Sequence, residues 1–404
     1  MNLKSKLKWM SIFGFSLLAW QLNSTPRMSA IAADEPSSLA SDEPEGLDED
    51  ELLLIELRRR ALDAENFASE DVDSNELPIS IQDLDSMEML PGGLSILPDY
   101  PNFPDDNLPS ESRIALGKML YFDKRLSRDR SMSCATCHDP AKGWADGRPR
   151  ANGFGGQELG RHSPTVINTA FNSRQFWDGR ADSLEEQAVG PIFAAGEMNM
   201  PSHKSVLDIL GSDDAYVSAF QHAYGGEPSI KNVGRAIAAF ERTAVTGPSR
   251  FDQYLDGNKQ ALTESEKRGL ILFTTTASCT ACHKGPNFTD NKFHNLGLRQ
   301  EGPLEVDEGR FAITGNASEK GCFKTPGLRN IEQSPPYMHD GSLANLEEVV
   351  EFYNRGGDKK KNRSKLIQPL HLSESQKEDL VEFLKSLTGS LPKVVPPEGE
   401  NFGI

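Results

Sequence analysis

Cys134-Ala-Thr-Cys137-His138 and Cys279-Thr-Ala-Cys282-His283 are two copies of one five-residue frame, and their reading decides the fold. C-x-x-C-H is the attachment signature of c-type haem. Two thiols at that spacing each form a thioether to a haem vinyl group, and the histidine that follows reaches the iron from the proximal side. Each frame opens a similar stretch, CHDPAKGWADG and CHKGPNFTDNKF, so the chain carries an internal repeat. Three other chemistries compete for cysteines so spaced. The frames could pool their thiols around one structural zinc, or pair as disulfides in an exported protein. A thioredoxin-like motif needs a βαβ setting, which the sequence lacks. Two copies favour two covalent haems over all three. Cys322 stands outside both frames and reads as a buried thiol.

Around the frames the pattern is helical. Ser110 caps a helix over ESRIALGKMLYF. Further helices are predicted at Ser183–Gly190, Lys204–Leu210, Asp213–Tyr224, Val233–Thr243, Thr263–Thr274, Leu343–Tyr353 and Ser373–Leu387. Thr263 with Glu266, and Ser373 with Gln376, fit the capping-box pattern. Strand-like alternation is scarce, so the fold class is mainly α with long Gly/Pro loops.

Further out, charge separates a tail from a core. The chain has 404 residues and a formal net charge of −17. Residues 34–110 carry 22 acids against three arginines, whereas residues 111–404 are nearly neutral at −2. A basic nucleic-acid binder is excluded, and so is a multi-span membrane protein, since no apolar run beyond the N-terminus approaches a span. Residues 1–33 read as a secretory signal: Lys4, Lys6 and Lys8, an apolar stretch from Met10 to Leu22, then Ala30-Ile31-Ala32. An uncleaved anchor is the alternative, although the apolar stretch is short for one. Residues 34–104 form an acidic, largely disordered segment, within which Glu49–Phe67 has helical character.

LGKMLYFDKRLS, HSPTVINTAFNSRQFWDGRADSLEEQAVGPI, GEMN and FKTPGLRNI…PPYMHDGSLANLEEVVEFYNRGG follow in order. Together they resemble the bacterial di-haem cytochrome c peroxidase family, which includes the MauG-like enzymes. The resemblance covers roughly residues 105–390. It implies two cytochrome c-like domains, each with one covalent haem. The first, 105–250, holds the peroxide-reacting haem; the second, 251–390, holds the electron-transfer haem; and 391–404 is a tail. By the same resemblance His138 and His283 are the proximal ligands and Trp177 is a relay between the haems. Gln187, Pro191 and Glu197 line the distal pocket of the first haem. Splitting the O–O bond needs a proton moved between its oxygens, a task for a carboxylate such as Glu197.

Two departures from the family pattern carry information. Peroxidases that need reductive activation place a histidine in the loop after the first haem motif, yet Arg150–Gly160 contains none, and Phe154 aligns with that position. The first iron is therefore expected to be open, with His162 as the nearby substitute. At the second haem, Tyr353 stands where ordinary peroxidases place a methionine ligand. A tyrosinate favours oxidised iron, and the exchange resembles the MauG-like branch, in which the two irons share oxidising equivalents. Met338 is the alternative ligand; His294 and His339 read as supporting residues. The family's calcium site matches Ser334 and Pro336 but has His162 in place of an asparagine, a poor ligand for so hard a cation. The implied activity is reduction of hydrogen peroxide in the periplasm. Electrons come from a small cytochrome c or cupredoxin, or from a residue of a partner protein substrate. The membrane enters only through the signal or anchor. A non-enzymatic di-haem electron carrier is the rival reading.

Overall fold

The computed structural model describes residues 77–399 and 401–402. The signal-like segment 1–33 and the helical candidate Glu49–Phe67 lie outside the described residues. Twelve α-helices appear among the described residues: α1 (Ile81–Ser86), α2 (Glu111–Phe122), α3 (Cys134–Cys137), α4 (Leu184–Phe193), α5 (His203–Gly211), α6 (Asp214–Tyr224), α7 (Ile230–Glu241), α8 (Arg250–Leu255), α9 (Glu264–Thr274), α10 (Phe311–Thr314), α11 (Leu346–Asn354) and α12 (Glu374–Ser386). The sheet content is one antiparallel pair, β1 (Phe293–His294) and β2 (Phe323–Lys324). No helix among the described residues is long and apolar enough to cross a membrane.

Capping residues set most helix starts. The Ser110 hydroxyl accepts from Arg113 N and opens α2, and both expected capping boxes form, Thr263 with Glu266 and Ser373 with Gln376. The helix expected to stop at Gly190 runs on through Pro191 to Phe193. Proline removes one helical donor, but the chain folds back and closes the end: Met198 N donates to Pro191 O at 3.1 Å and Met200 N to Ile192 O at 2.8 Å. Residues 77–104 correct the expectation of disorder through 104. The Ser80-capped α1 leads into a segment that buries Leu84, Leu90 and Leu94 in the same apolar cluster as α9 and α12.

The apolar residues fall into two clusters. One gathers α2, α4, α6 and α7 with Trp144; the other gathers α8, α9, α11 and α12 with Phe288. Each is built on the same helix crossing. A Cβ on Gly117 of α2 would stand 1.8 Å from Ala236 O of α7, and one on Gly269 of α9 would stand 2.0 Å from Asp379 O of α12. Beside the first crossing Tyr121 and Phe240 pack edge-to-face at 5.1 Å; beside the second, Phe273 and Phe383 pack in a tilted arrangement, also at 5.1 Å.

The duplication continues past the haem frames. Residues 162–191 recur without a gap at 324–353, a constant offset of 162 positions that keeps Pro164/Pro326, Asn168/Asn330, Asp178-Gly179/Asp340-Gly341 and Leu184-Glu185-Glu186/Leu346-Glu347-Glu348. The backbone repeats as well. Asn168 and Asn330 both have φ 58°, and Phe176 and Met338 have φ 68° and 72°. The bridges Gln175–Ala181 and Tyr337–Leu343 also correspond. Pro191 on α4 therefore occupies the same rung as Tyr353 on α11, and Trp177 the same place as His339.

Candidate active site

Both haem-attachment frames sit in short helical turns against their own apolar cluster. Cys134 packs on the first cluster and Cys279 on the second. None of the five cysteines is disulfide-bonded. Nor do the two frames pool around one metal: among the described residues the single grouping of potential ligands is Cys282, Asp290 and His294. Burial pushes the Cys137 thiol up to about 12 and Cys134 higher still. Buried neutral sulfurs of this kind suit thioethers better than metal-bound thiolates.

The second site fits a haem. A cavity of about 720 Å³ is lined by Cys279, Cys282, His283, Met338, His339 and Tyr353. His283 Nδ1 lies 3.0 Å from Phe288 O, so Nδ1 carries the proton and Nε2 is left for iron. Lys324, also in the wall, is a buried cation held down to about 8 by desolvation; its Nζ has Thr325 O at 3.4 Å. An acidic group of a bound cofactor satisfies such a cation. Tyr353 is raised well above an ordinary phenol by burial and makes no hydrogen bond through its hydroxyl among the described residues. A phenol in that setting stays neutral unless a metal cation faces it. His339 is stacked on Phe323 at 3.6 Å and bonded to Gln300 at 3.2 Å, and burial pushes it down to about 4. For His294, burial opposes protonation, but the 2.8 Å Asp290 contact and Cys282 hold it up to about 10. Both histidines are occupied by protein partners.

Around the first frame, Tyr121 donates to His138 O at 2.8 Å, and Trp144 packs on Tyr121 at 5.8 Å. Burial lowers the His138 imidazole below its ordinary value, which keeps it neutral for metal binding. Gln187 and Pro191 lie one turn apart on α4, and the turn that closes α4 brings Glu197 beside Pro191. Burial raises the Glu197 carboxyl, and the positive charge of Arg180 opposes that rise. The loop after the first frame reaches the same place: Phe154 N donates to Gly196 O at 3.1 Å and to Glu197 O at 3.0 Å.

Trp177 joins segments from the two copies of the repeat. Its Nε1 donates to His162 O at 2.9 Å. Lys324 N donates to Trp177 O at 2.8 Å, and His162 N donates to His339 O at 2.8 Å. These last two bonds are the same bond seen from either copy of the repeat. His162 sits at this junction with Nδ1 against Arg148 O at 2.9 Å, among the residues lining the second cavity. It offers calcium a nitrogen where the cation prefers oxygen, so its side chain does not fit the site expected with Ser334 and Pro336. The sequence reading missed Arg161, which joins Asp178 and Asp307 at 2.6 Å each and ties the Trp177 segment to the second half. It also missed Arg180 and Lys324. Arg161 directly precedes one of the quoted motifs, and Arg180 and Lys324 lie within them, but a lone cation inside a motif does not say what it will face.

The family model described as "Di-haem cytochrome c peroxidase" matches residues 111–260. The methylamine utilization protein MauG of Methylorubrum extorquens is 43% identical over 303 residues, covering 74% of this chain and 85% of that protein. Cytochrome c551 peroxidase of Pseudomonas aeruginosa is 40% identical over 295 residues, covering 71% and 82%. Among solved structures, a MauG-like protein associated with microbial copper homeostasis aligns with a TM-score of 0.67 at 33% identity, over 72% of this chain and 95% of that one. The family description and the Pseudomonas relative both name a peroxidase, which sets aside the pure electron carrier. The chain is a member of the di-haem cytochrome c peroxidase and MauG family, and an enzyme of peroxidase type.

Proposed function

We propose that this chain is a periplasmic di-haem peroxidase that accepts hydrogen peroxide at its first haem, beside Glu197, and exchanges electrons with a protein partner through its second. The reading divides residues 105–390 into two cytochrome c-like domains, with His138 and the thioethers of Cys134 and Cys137 in one. His283, Cys279 and Cys282 serve in the other. The haems, when bound, supply peroxide activation at the first site and electron relay at the second. The observation that carries the reading is the shared rung of Pro191 and Tyr353. Proline offers no ligand atom, so the first haem keeps a free face, while the phenol oxygen of Tyr353 is available to the second.

The residues around the free face divide the work. Glu197 takes a proton from the near oxygen of peroxide and returns it to the far one. Its burial favours the protonated form at a higher pH than for an ordinary carboxylate, so proton uptake and release fall closer to neutrality. Gln187, one turn before Pro191, orients the substrate. The loop at Phe154 brings no imidazole to this face. Trp177, bonded through its ring to His162 O and through its carbonyl to Lys324 N, bridges the two sites. The signal-like residues 1–33 support export, which attachment of c-type haem requires in bacteria.

The test is addition of hydrogen peroxide to the fully oxidised protein, followed by absorbance. An immediate change at the first haem without prior reduction supports a ready site and the MauG-like branch. A requirement for pre-reduction refutes the open face. Tyr353→Phe is expected to alter the spectrum and potential of the second haem while keeping its packing on Phe352 at 5.3 Å. An unchanged spectrum would remove Tyr353 from the ligand set.

A further inference from the structure

We propose that the lysine-rich loop 358–365 is the docking rim for the acidic face of a soluble redox protein that exchanges electrons at the second cavity; the inference rests on the functional reading above. The sequence there is DKKKNRSK: five cations with one acid, in a core whose remaining charge is mildly acidic. Asp358 is already engaged by Arg355 at 2.7 Å. Lys359, Lys360, Lys361, Arg363 and Lys365 form no ion pair among the described residues. Lys359, Lys360 and Lys361 are exposed, yet Lys359 and Lys361 also line the cavity that contains Cys279, Cys282 and His283. Residues both exposed and cavity-lining stand at its mouth.

The loop is held in shape. Asp358 N and Lys359 N both donate to Gly297 O, at 3.1 and 2.7 Å, and Ser364 N donates to Asn295 O at 2.8 Å. A fixed array of ammonium groups costs little entropy to present. Val306, 62% exposed, lines the same cavity and supplies an apolar contact next to the charged rim, the usual anatomy of a protein interface. The loop itself carries no apolar side chain to enter a lipid surface, which favours a protein partner over a membrane. Each encounter moves one electron, oxidising the donor's metal and reducing the second haem. Two encounters with two protons balance reduction of one hydrogen peroxide to two waters.

The experiment is stopped-flow reduction of the oxidised holoprotein by two probes of opposite charge: reduced plastocyanin, which is acidic, and mitochondrial ferrocytochrome c, which is basic. Wild type is compared with a combined Lys359→Glu, Lys360→Glu and Lys361→Glu variant. At low ionic strength the plastocyanin rate constant is expected to fall about tenfold or more in the variant, and the ferrocytochrome rate to hold or rise. Salt should slow the plastocyanin reaction of wild type and leave that of the variant flat. Equal plastocyanin rates, or the same loss with both donors, overturn the proposal. So does wild type that plastocyanin fails to reduce. Sedimentation with phosphatidylglycerol vesicles that is lost in the variant, with plastocyanin rates equal, assigns the loop to a membrane instead. Dithionite reduction of the same samples tests the functional reading separately: two reducible haems support it, and fewer refute it whatever the loop does.

Discussion

Glu197→Gln is expected to slow the reaction of the oxidised protein with hydrogen peroxide by about a hundredfold or more, the usual worth of a positioned general acid–base group. The amide keeps the shape and the backbone contact to Phe154, but it cannot carry a proton between the peroxide oxygens. The pH profile provides a second readout. Glu197 must be ionised to accept the first proton, and burial raises its carboxyl above the ordinary 4.5. The wild-type rate should therefore fall as pH drops through that raised value, with the carboxylate lost on the acid side. The variant has no titrating group there, so its profile should lack this limb. Stopped-flow absorbance across pH measures both effects. A variant as fast as wild type, with the acid limb intact, would exclude the proton role.

The second large effect is structural. Gly269→Ala and Gly117→Ala are each expected to destabilise the holoprotein by about 3 kcal/mol, read as a lowered urea midpoint. Helix propensity alone argues the other way, since alanine is better than glycine inside a helix by about 1 kcal/mol. Packing decides the sign. The new methyl groups would lie 2.0 Å from Asp379 O and 1.8 Å from Ala236 O, and both obstacles are backbone of a facing helix. Relief requires the helices to separate, which opens the Phe273–Phe383 and Tyr121–Phe240 contacts. A midpoint equal to or above wild type in either variant would refute the close crossing in that half.

Much of this was legible in the sequence. The two C-x-x-C-H frames carry the cofactor reading outright because their chemistry fixes the spacing. Capping residues gave the helix starts at Ser110, Thr263 and Ser373, since a serine or threonine hydroxyl bonded to a nearby amide is a local event. The misses have non-local causes. Helix α4 outruns its proline because a turn eight residues downstream holds its end. Residues 77–104 look disordered by composition, yet three leucines spaced six and four apart find a groove that only the tertiary fold creates. The repeat linking 162–191 to 324–353 was present in the letters, as Pro, Asn, Asp-Gly and Leu-Glu-Glu at one fixed offset. Its meaning came from the backbone, because the paired residues that matter, Pro191 with Tyr353 and Trp177 with His339, share no chemistry.

The reciprocal bonds from His162 N to His339 O and from Lys324 N to Trp177 O act as a clasp. Trp177 is fastened by main chain on one side and by its indole N–H on the other. An aromatic ring so gripped has little freedom to tilt when its charge changes. For the proposed relay, that means a ring held at one fixed place between the two copies of the repeat, with little protein movement needed as it gains or loses an electron.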